Sequence, residues 1–228
     1  MKLIYMGTPE IAVKPLKALI EAGHEVALVV TQPDKPSSRR GRRIEYSPVK
    51  KTAIENGIEV YQPERASDEQ SETFLKSINA DIIVVCAYGQ ILKKNILNLT
   101  QYGCINIHAS LLPRLRGACP INRSIINGDS ISGVTIMYMD EGLDTGDMMI
   151  SQQVCITEHM TAGQLEDKLS EIGSVLIVEA LDRINKGCAA RIKQDDKQST
   201  YAEKIAKDEL YVSFEDTAFN VVNKIRCV

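Results

Sequence analysis

The chain has 228 residues, 44% of them hydrophobic and 25% charged, and a net charge of −3. This length holds one large domain with a real core, and the composition excludes intrinsic disorder and a fibrous structure. No apolar run approaches the roughly 20 residues that span a bilayer, and the opening MKLIYMGTPE meets Gly7 and Pro9 before a signal-peptide core could form, so the chain reads as cytoplasmic.

In chain order, residues 2–6 (KLIYM) predict a strand. Ile11, Leu16, Leu19 and Ile20 then fall at helical spacing, with Pro9 in the first turn and Gly23 closing the helix. The β-branched run 26–30 predicts a second strand, and this β-α-β opening implies a parallel sheet covered on both faces. Residues 31–48, rich in Pro, Ser and Arg, predict a long loop. Helices are expected over 49–56 and 68–78, with a short strand over 59–61 between them. DIIVVCA, residues 81–87, is the continuous apolar run of a strand buried on both faces. Strands are also expected over 103–108, 133–139 and 148–156, with a helix over 121–126. Leu165, Leu169, Ile172, Leu176, Ala180 and Ile184 mark one long amphipathic helix over 161–186. Polar connective sequence follows, then a short strand and a last amphipathic helix carrying Ala218, Val221, Val222 and Ile225.

The expected fold is therefore α/β, an open, mostly parallel, Rossmann-like sheet with helices on both faces. It occupies residues 1–190, followed by a linker over 191–206 and the start of a second domain over 207–228. A GxGxxG fingerprint is missing after the first strand, which argues against a nicotinamide-linked dehydrogenase. The six cysteines contain no CxxC pair and read as buried thiols, with no disulfide framework or metal site.

Charge is unevenly spread. Residues 35–51 hold seven Lys/Arg against one Glu, a local +6 that leaves −9 on the rest. A basic loop on an acidic body is a candidate contact for nucleic acid, although most charge runs are only solvated surface.

Open parallel sheets place ligands outside the carboxyl ends of their strands. Three segments are expected there: CAYGQ after 81–87, Asn106-Ile107-His108, and DEGLDTGD over 140–147. Asn106 and His108 are two apart and share one face of a strand. An amide donor beside an imidazole suits stabilisation of an oxyanion on a carbonyl under attack. A carboxylate of the acidic loop would orient the imidazole. With no Ser or Cys nucleophile in the set, this suggests direct acyl transfer to an amine; a plain hydrogen-bonded strand-end histidine is the alternative. His24 and His159 have no comparable partners and read as surface residues.

The blocks NIHASLLPRLRGACPINRSIINGD and MDEGLDTGDM, with MGTPEIA, YSPVK and CAYGQIL, resemble the folate-dependent formyltransferases along essentially the whole chain. The resemblance is greatest to the branch whose acceptor is the amino group of methionine on initiator tRNA. It implies 10-formyltetrahydrofolate as formyl donor, no metal, and a role in translation initiation. By motif match, Asn106, His108 and Asp144 are catalytic: the first two stabilise the oxyanion, and Asp144 pairs with a charged His108 and assists proton movement. Ser110, Leu111, Leu112 and Pro113 match folate contacts. Tyr88, Gly89, Gln90 and Ile91, with Asp140, Glu141 and Gly142, match loops lining the pterin pocket. Arg39, Arg40, Arg42 and Arg43 match a loop that contacts the tRNA acceptor stem. A monomer is expected.

The family continues after the point matching KIRC into a Phe-Asn-Pro-Trp segment and a barrel domain, so a chain stopping at Val228 is expected to lack most of its second domain. Two alternatives stand beside this reading. One is a formyltransferase for a small amine, such as an amino sugar nucleotide, which gives no reason for the arginine loop. A glycinamide ribonucleotide is disfavoured because MGTPE offers one glycine where a phosphate cradle is needed. The other is a folate- or RNA-binding fragment with little activity.

Overall fold

The computed structural model describes residues 1–36, 44–213 and 215–228. The elements are β1 (Lys2–Gly7), α1 (Val13–Glu21), β2 (Glu25–Val30), β3 (Lys35–Pro36), β4 (Ile44–Glu45), α2 (Pro48–Glu55), β5 (Val60–Tyr61) and α3 (Glu69–Ser77). They continue with β6 (Ile82–Cys86), α4 (Lys94–Leu97), β7 (Cys104–His108), α5 (Pro120–Ile126), β8 (Ile131–Tyr138), β9 (Met148–Cys155), α6 (Ala162–Asn185) and α7 (Ala218–Arg226).

Seven strands form one sheet in the order β5-β2-β1-β6-β7-β8-β9. The pairs from β5 through β7 are parallel. The pairs β7–β8 and β8–β9 are antiparallel. The mostly parallel α/β sheet anticipated from the sequence is therefore present.

The alternation of strand side chains divides the core in two. Leu3, Tyr5, Ile82, Val84, Ile105 and Ile107 pack on one face with α1 and α6. Ile4, Met6, Ile83, Val85 and Cys104 pack on the other with Leu75 of α3 and Ile96 and Leu97 of α4. Burial on both faces explains why β1 and β6 read as unbroken apolar runs, each such side chain contributing about 1.5–3 kcal/mol. The long helix α6 opens with a capping box between Thr161 and Gln164. Its Gly173 lies against Ile107, so close that an added Cβ would stand 2.9 Å from Ile107 Cγ2. The helix thereby braces the back of β7 while the other face of that strand stays open for Asn106 and His108.

Several expectations are corrected. Pro9 precedes a short 3-10 turn, Glu10–Ala12, and does not sit inside α1. The stretch 31–48 is not loop throughout, because β3 and β4 pair across the basic segment. Among the described residues no strand lies between α6 and α7, and Tyr211 to Ser213 are irregular. Cys155 and Cys188 are exposed, whereas Cys86, Cys104 and Cys227 are buried as expected. His24 is half-buried, and that burial lowers its pKa. No group of metal-binding side chains occurs among the described residues. Among the described residues no helix is long and apolar enough to cross a membrane.

Residues 191–206 lack regular strands or long helices, yet they lie against the sheet domain. Ala202 is fully buried, and its N–H donates to Arg116 O at 2.6 Å. Arg123 of α5 pairs with Glu209 at 2.6 Å. Arg226 of α7 donates to the carbonyls of Thr157 and Met160.

Candidate active site

β7 carries the centre of the site. Its pleat puts Asn106 and His108 on the face shared with Cys104, opposite Ile105 and Ile107. His108 is the last residue of the strand and is 5% exposed, and Asn106 is half-buried. Imidazole Nε2 lies 3.0 Å from Leu115 O. A carbonyl only accepts, so Nε2 carries the hydrogen and Nδ1 is the nitrogen left for chemistry. Nδ1 faces Asp144 Oδ2 at 3.7 Å. That separation is longer than a hydrogen bond. The same carboxylate oxygen accepts from Gly117 N–H at 2.8 Å.

The route of Asp144 to this position differs from the sequence expectation. Because β8 is antiparallel to β7, the loop 140–147 leaves β8 beside the amino end of β7, where Met139 N–H donates to Cys104 O at 2.9 Å. The loop must run back along the open face of β7 to bring Asp144 to its carboxyl end. Asp144 adopts φ +54°, a left-handed conformation that is uncommon outside glycine. Gly146 permits the close approach of this loop to β8, since a Cβ there would lie 1.9 Å from Tyr138 O.

The remaining anticipated residues divide by what their side chains do. Ser110 is buried and donates to Arg114 O at 2.7 Å, fixing its own turn. Thr135 of β8 donates to Ser110 O and accepts from Leu112 N–H. Leu111 packs over Gly133, Leu112 is buried and Pro113 is half-buried. Tyr88 is 2% exposed, and its ring belongs to the core beside Leu92. Its carbonyl accepts from Thr8 Oγ1 and from Gln32 Nε2, tying the carboxyl ends of β1, β2 and β6 together. Gln90 turns away to bond Ala66 N–H, Pro63 O and Glu64 O. Asp140 holds its own loop, accepting from Gly142 N–H and Thr145 Oγ1. Glu141 reaches Lys94 at 3.5 Å and joins that loop to the segment after β6. On these two segments Ile91 is 85% and Leu143 56% exposed. Gly89, with φ +93°, makes the turn after β6 possible. Arg39, Arg40, Arg42 and Arg43 lie outside the described residues.

Sequence reasoning missed the backbone partners of the constellation, Leu115 O and Gly117 N–H, because backbone groups carry no side-chain signal. It also missed Arg116, which is 2% exposed and bonds Gln194 and Asp196. A usable signal existed: an arginine between Leu115 and Gly117, once buried, demands an acidic or amide partner. An open cleft of about 540 Å³ lies at the amino end of β7, lined by Cys104, Tyr138 and Arg191 among others, and does not include Asn106, His108 or Asp144.

The nucleophilic side chains of β6, β7 and the turn after β7 are not available for attack. Ser110 is committed to its turn. Burial pushes the thiols of Cys86 and Cys104 up to about 12, so neither is a thiolate at neutral pH. The arrangement can polarise a carbonyl and move a proton, which is the chemistry of direct acyl transfer.

Residues 1–181 match the formyl transferase family. The methionyl-tRNA formyltransferase of Agathobacter rectalis is 48% identical over 226 residues, 99% of this chain and 73% of that protein. The methionyl-tRNA formyltransferase of Clostridioides difficile is 49% identical over 228 residues, 100% of this chain and 74% of that protein. Among solved structures, an N-formyltransferase from Helicobacter canadensis in complex with folinic acid and dTDP-3-aminofucose superposes with a TM-score of 0.75 at 23% identity, covering 100% of this chain and 80% of the other. The phosphoribosylglycinamide formyltransferase of Bacillus halodurans gives a TM-score of 0.67 at 25% identity, covering 81% of this chain and 95% of the other. The chain belongs to the formyl transferase family, among the methionyl-tRNA formyltransferases.

Proposed function

We propose that this chain transfers the formyl group of 10-formyltetrahydrofolate to the amino group of methionine on initiator tRNA, with Asn106, His108 and Asp144 as the catalytic residues. The observation that carries this reading is the continuous similarity, at 48% identity over 226 residues, to a methionyl-tRNA formyltransferase. The site's geometry supports it. The exposed apolar side chains of Ile91 and Leu143, on the two segments that the Lys94–Glu141 bridge joins, suit a planar, partly apolar ring with polar edges. We assign the pterin-lining role there to Gly89, Ile91 and the 140–142 turn. Tyr88 and Gln90 serve by shaping the 88–91 turn, and Ser110 to Pro113 by holding the backbone next to His108.

The chemistry follows from this chain's own groups. Attack by the acceptor amine on the formyl carbon forms a carbon–nitrogen bond and moves the carbonyl π pair onto oxygen. The Asn106 amide donates to that oxygen, and so does Nδ1 of the charged His108 ring, which carries a proton there in addition to the one on Nε2. Asp144 faces the same Nδ1 and compensates its charge while the oxygen is negative. The bond to the donor nitrogen then breaks, and the proton lost by the attacking amine passes, with Asp144 as acceptor and donor, to the leaving nitrogen. No covalent enzyme species is needed.

Arg39, Arg40, Arg42 and Arg43 are assigned to phosphate contacts with the tRNA. Such contacts position the nucleic acid and do not read its sequence. The test is formyl transfer by Asn106→Ala and His108→Ala with purified charged initiator tRNA. Loss of one oxyanion donor is expected to lower kcat by about 10²–10³-fold with little change in KM. Unchanged kcat in both variants overturns the assignment.

A further inference from the structure

The segment 194–202 follows the residues matched to the family, 1–181, and it touches both partners of His108. On one side, the Gln194 amide donates through Nε2 to Asp144 O and to Gly146 O, each at 2.8 Å. Those two bonds pin the left-handed tip of the loop that presents Asp144. Gln194 is itself fixed, because its Oε1 accepts from Arg116 Nε at 3.0 Å and from the Arg116 terminal nitrogen at 2.8 Å. The same guanidinium reaches Asp196 at 2.8 Å. On the other side, Thr200 Oγ1 accepts from Leu115 N–H at 2.9 Å, and Thr200 O accepts from Arg116 N–H at 2.8 Å. Leu115 supplies the carbonyl that holds His108 Nε2.

A buried guanidinium is costly unless its donors are all met. Here Nε and one terminal nitrogen are met by side chains of one short segment, which makes the segment a fixture of the site. We propose that Gln194 and Thr200, bridged by Arg116, are positioning residues that set the His108 ring from both sides. Gln194 places the carboxylate opposite Nδ1, and Thr200 places the carbonyl opposite Nε2. The catalytic unit then extends to residue 202. This inference rests on the formyl-transfer reading for its kinetic consequence, but its geometric content stands apart from it.

The chain has three histidines, so the imidazole nitrogens of His108 are readily told from those of His24 and His159. The experiment records long-range proton–nitrogen spectra of the rings, with kcat, KM and thermal midpoint, for the full chain and two variants. Gln194→Leu removes the amide that holds Asp144. Thr200→Val removes the hydroxyl that holds Leu115 and serves if the first variant folds poorly. In the parent, recorded where the ring is neutral, His108 is expected as a single Nε2–H tautomer. In each folded variant its signals shift or average between tautomers while those of His24 and His159 stay. An accompanying fall in kcat of about 10²-fold is expected, as for misplacement by an ångström, with KM for the formyl donor within about threefold. Unmoved His108 signals in a folded variant overturn the proposal, whatever the activity. A parent chain that shows the Nε2–H tautomer but no formyl transfer overturns the functional reading alone.

Discussion

His108 Nδ1 and Asp144 Oδ2 stand 3.7 Å apart, although their backbones arrive from opposite ends of β7. His108 ends that strand, and the loop bearing Asp144 starts beside Cys104 at its other end. The antiparallel turn of the sheet after β7 makes this meeting possible. A strictly parallel sheet would have sent the acidic loop to a helix on one face.

The role of the Asp144 charge can be separated from its structural bond. Asp144→Asn keeps an oxygen to accept from Gly117 N–H and removes the negative charge opposite Nδ1. By analogy with orienting carboxylates elsewhere, kcat is expected to fall about 10⁴-fold. The thermal midpoint is expected to stay within about 4 °C, the shift that 1 kcal/mol gives a chain of this size. Steady-state assays beside thermal melts check this.

Gly146 limits how the acidic loop can pass β8. Gly146→Ala would put a Cβ 1.9 Å from Tyr138 O, and backbone has to move to admit it. We expect destabilisation of about 1–3 kcal/mol, the usual cost of overpacking. Because Asp144 is two residues away, kcat should fall as well. Urea unfolding and activity measured on the same preparation test both parts.

Acid should loosen the chain after α6 before it unfolds the sheet. Arg123 holds the Glu209 carboxyl down at about 2, against an ordinary 4.5, with the Ala206 N–H assisting. A depressed carboxyl stabilises the folded state above its unfolded value, and that contribution disappears as pH falls through the folded value. The contact of residues 203–209 with α5 should therefore weaken between pH about 4.5 and about 2. Hydrogen exchange across that window should rise first in this segment. Arg123→Gln should show the same exchange at neutral pH.

Phosphate contacts leave a signature in salt. Replacing Arg39, Arg40, Arg42 and Arg43 by Ala should weaken tRNA binding about equally for all acceptor-stem sequences. Each lost contact should also flatten the log–log salt dependence by just under 1. Binding titrations at several salt concentrations decide this; an unchanged slope removes the arginines from the interface.

Much of this was legible in the sequence for identifiable reasons. DIIVVCA announces a strand buried on both faces, and β6 is that strand. The spacing of Leu165, Leu169 and Leu176 gives α6, and the two-residue step from Asn106 to His108 gives their shared face. What was hidden depends on tertiary contact. The two-residue ladder β3–β4 is too short to carry a pattern. The side chains of Tyr88 and Gln90 turn inward to serve the core and the 63–66 segment, a choice that periodicity does not encode. Gln194 sits in polar connective sequence and acquires its place only through buried Arg116.

The most direct measurement follows 10-formyltetrahydrofolate by absorbance at low salt, with and without methionyl initiator tRNA, for the chain and for His108→Ala. The account predicts consumption that requires charged tRNA and yields one formyl-methionine per tetrahydrofolate released. It predicts that His108→Ala slows this turnover about 10²–10³-fold while the chain stays folded. Consumption independent of tRNA, or equal turnover in the variant, would contradict it.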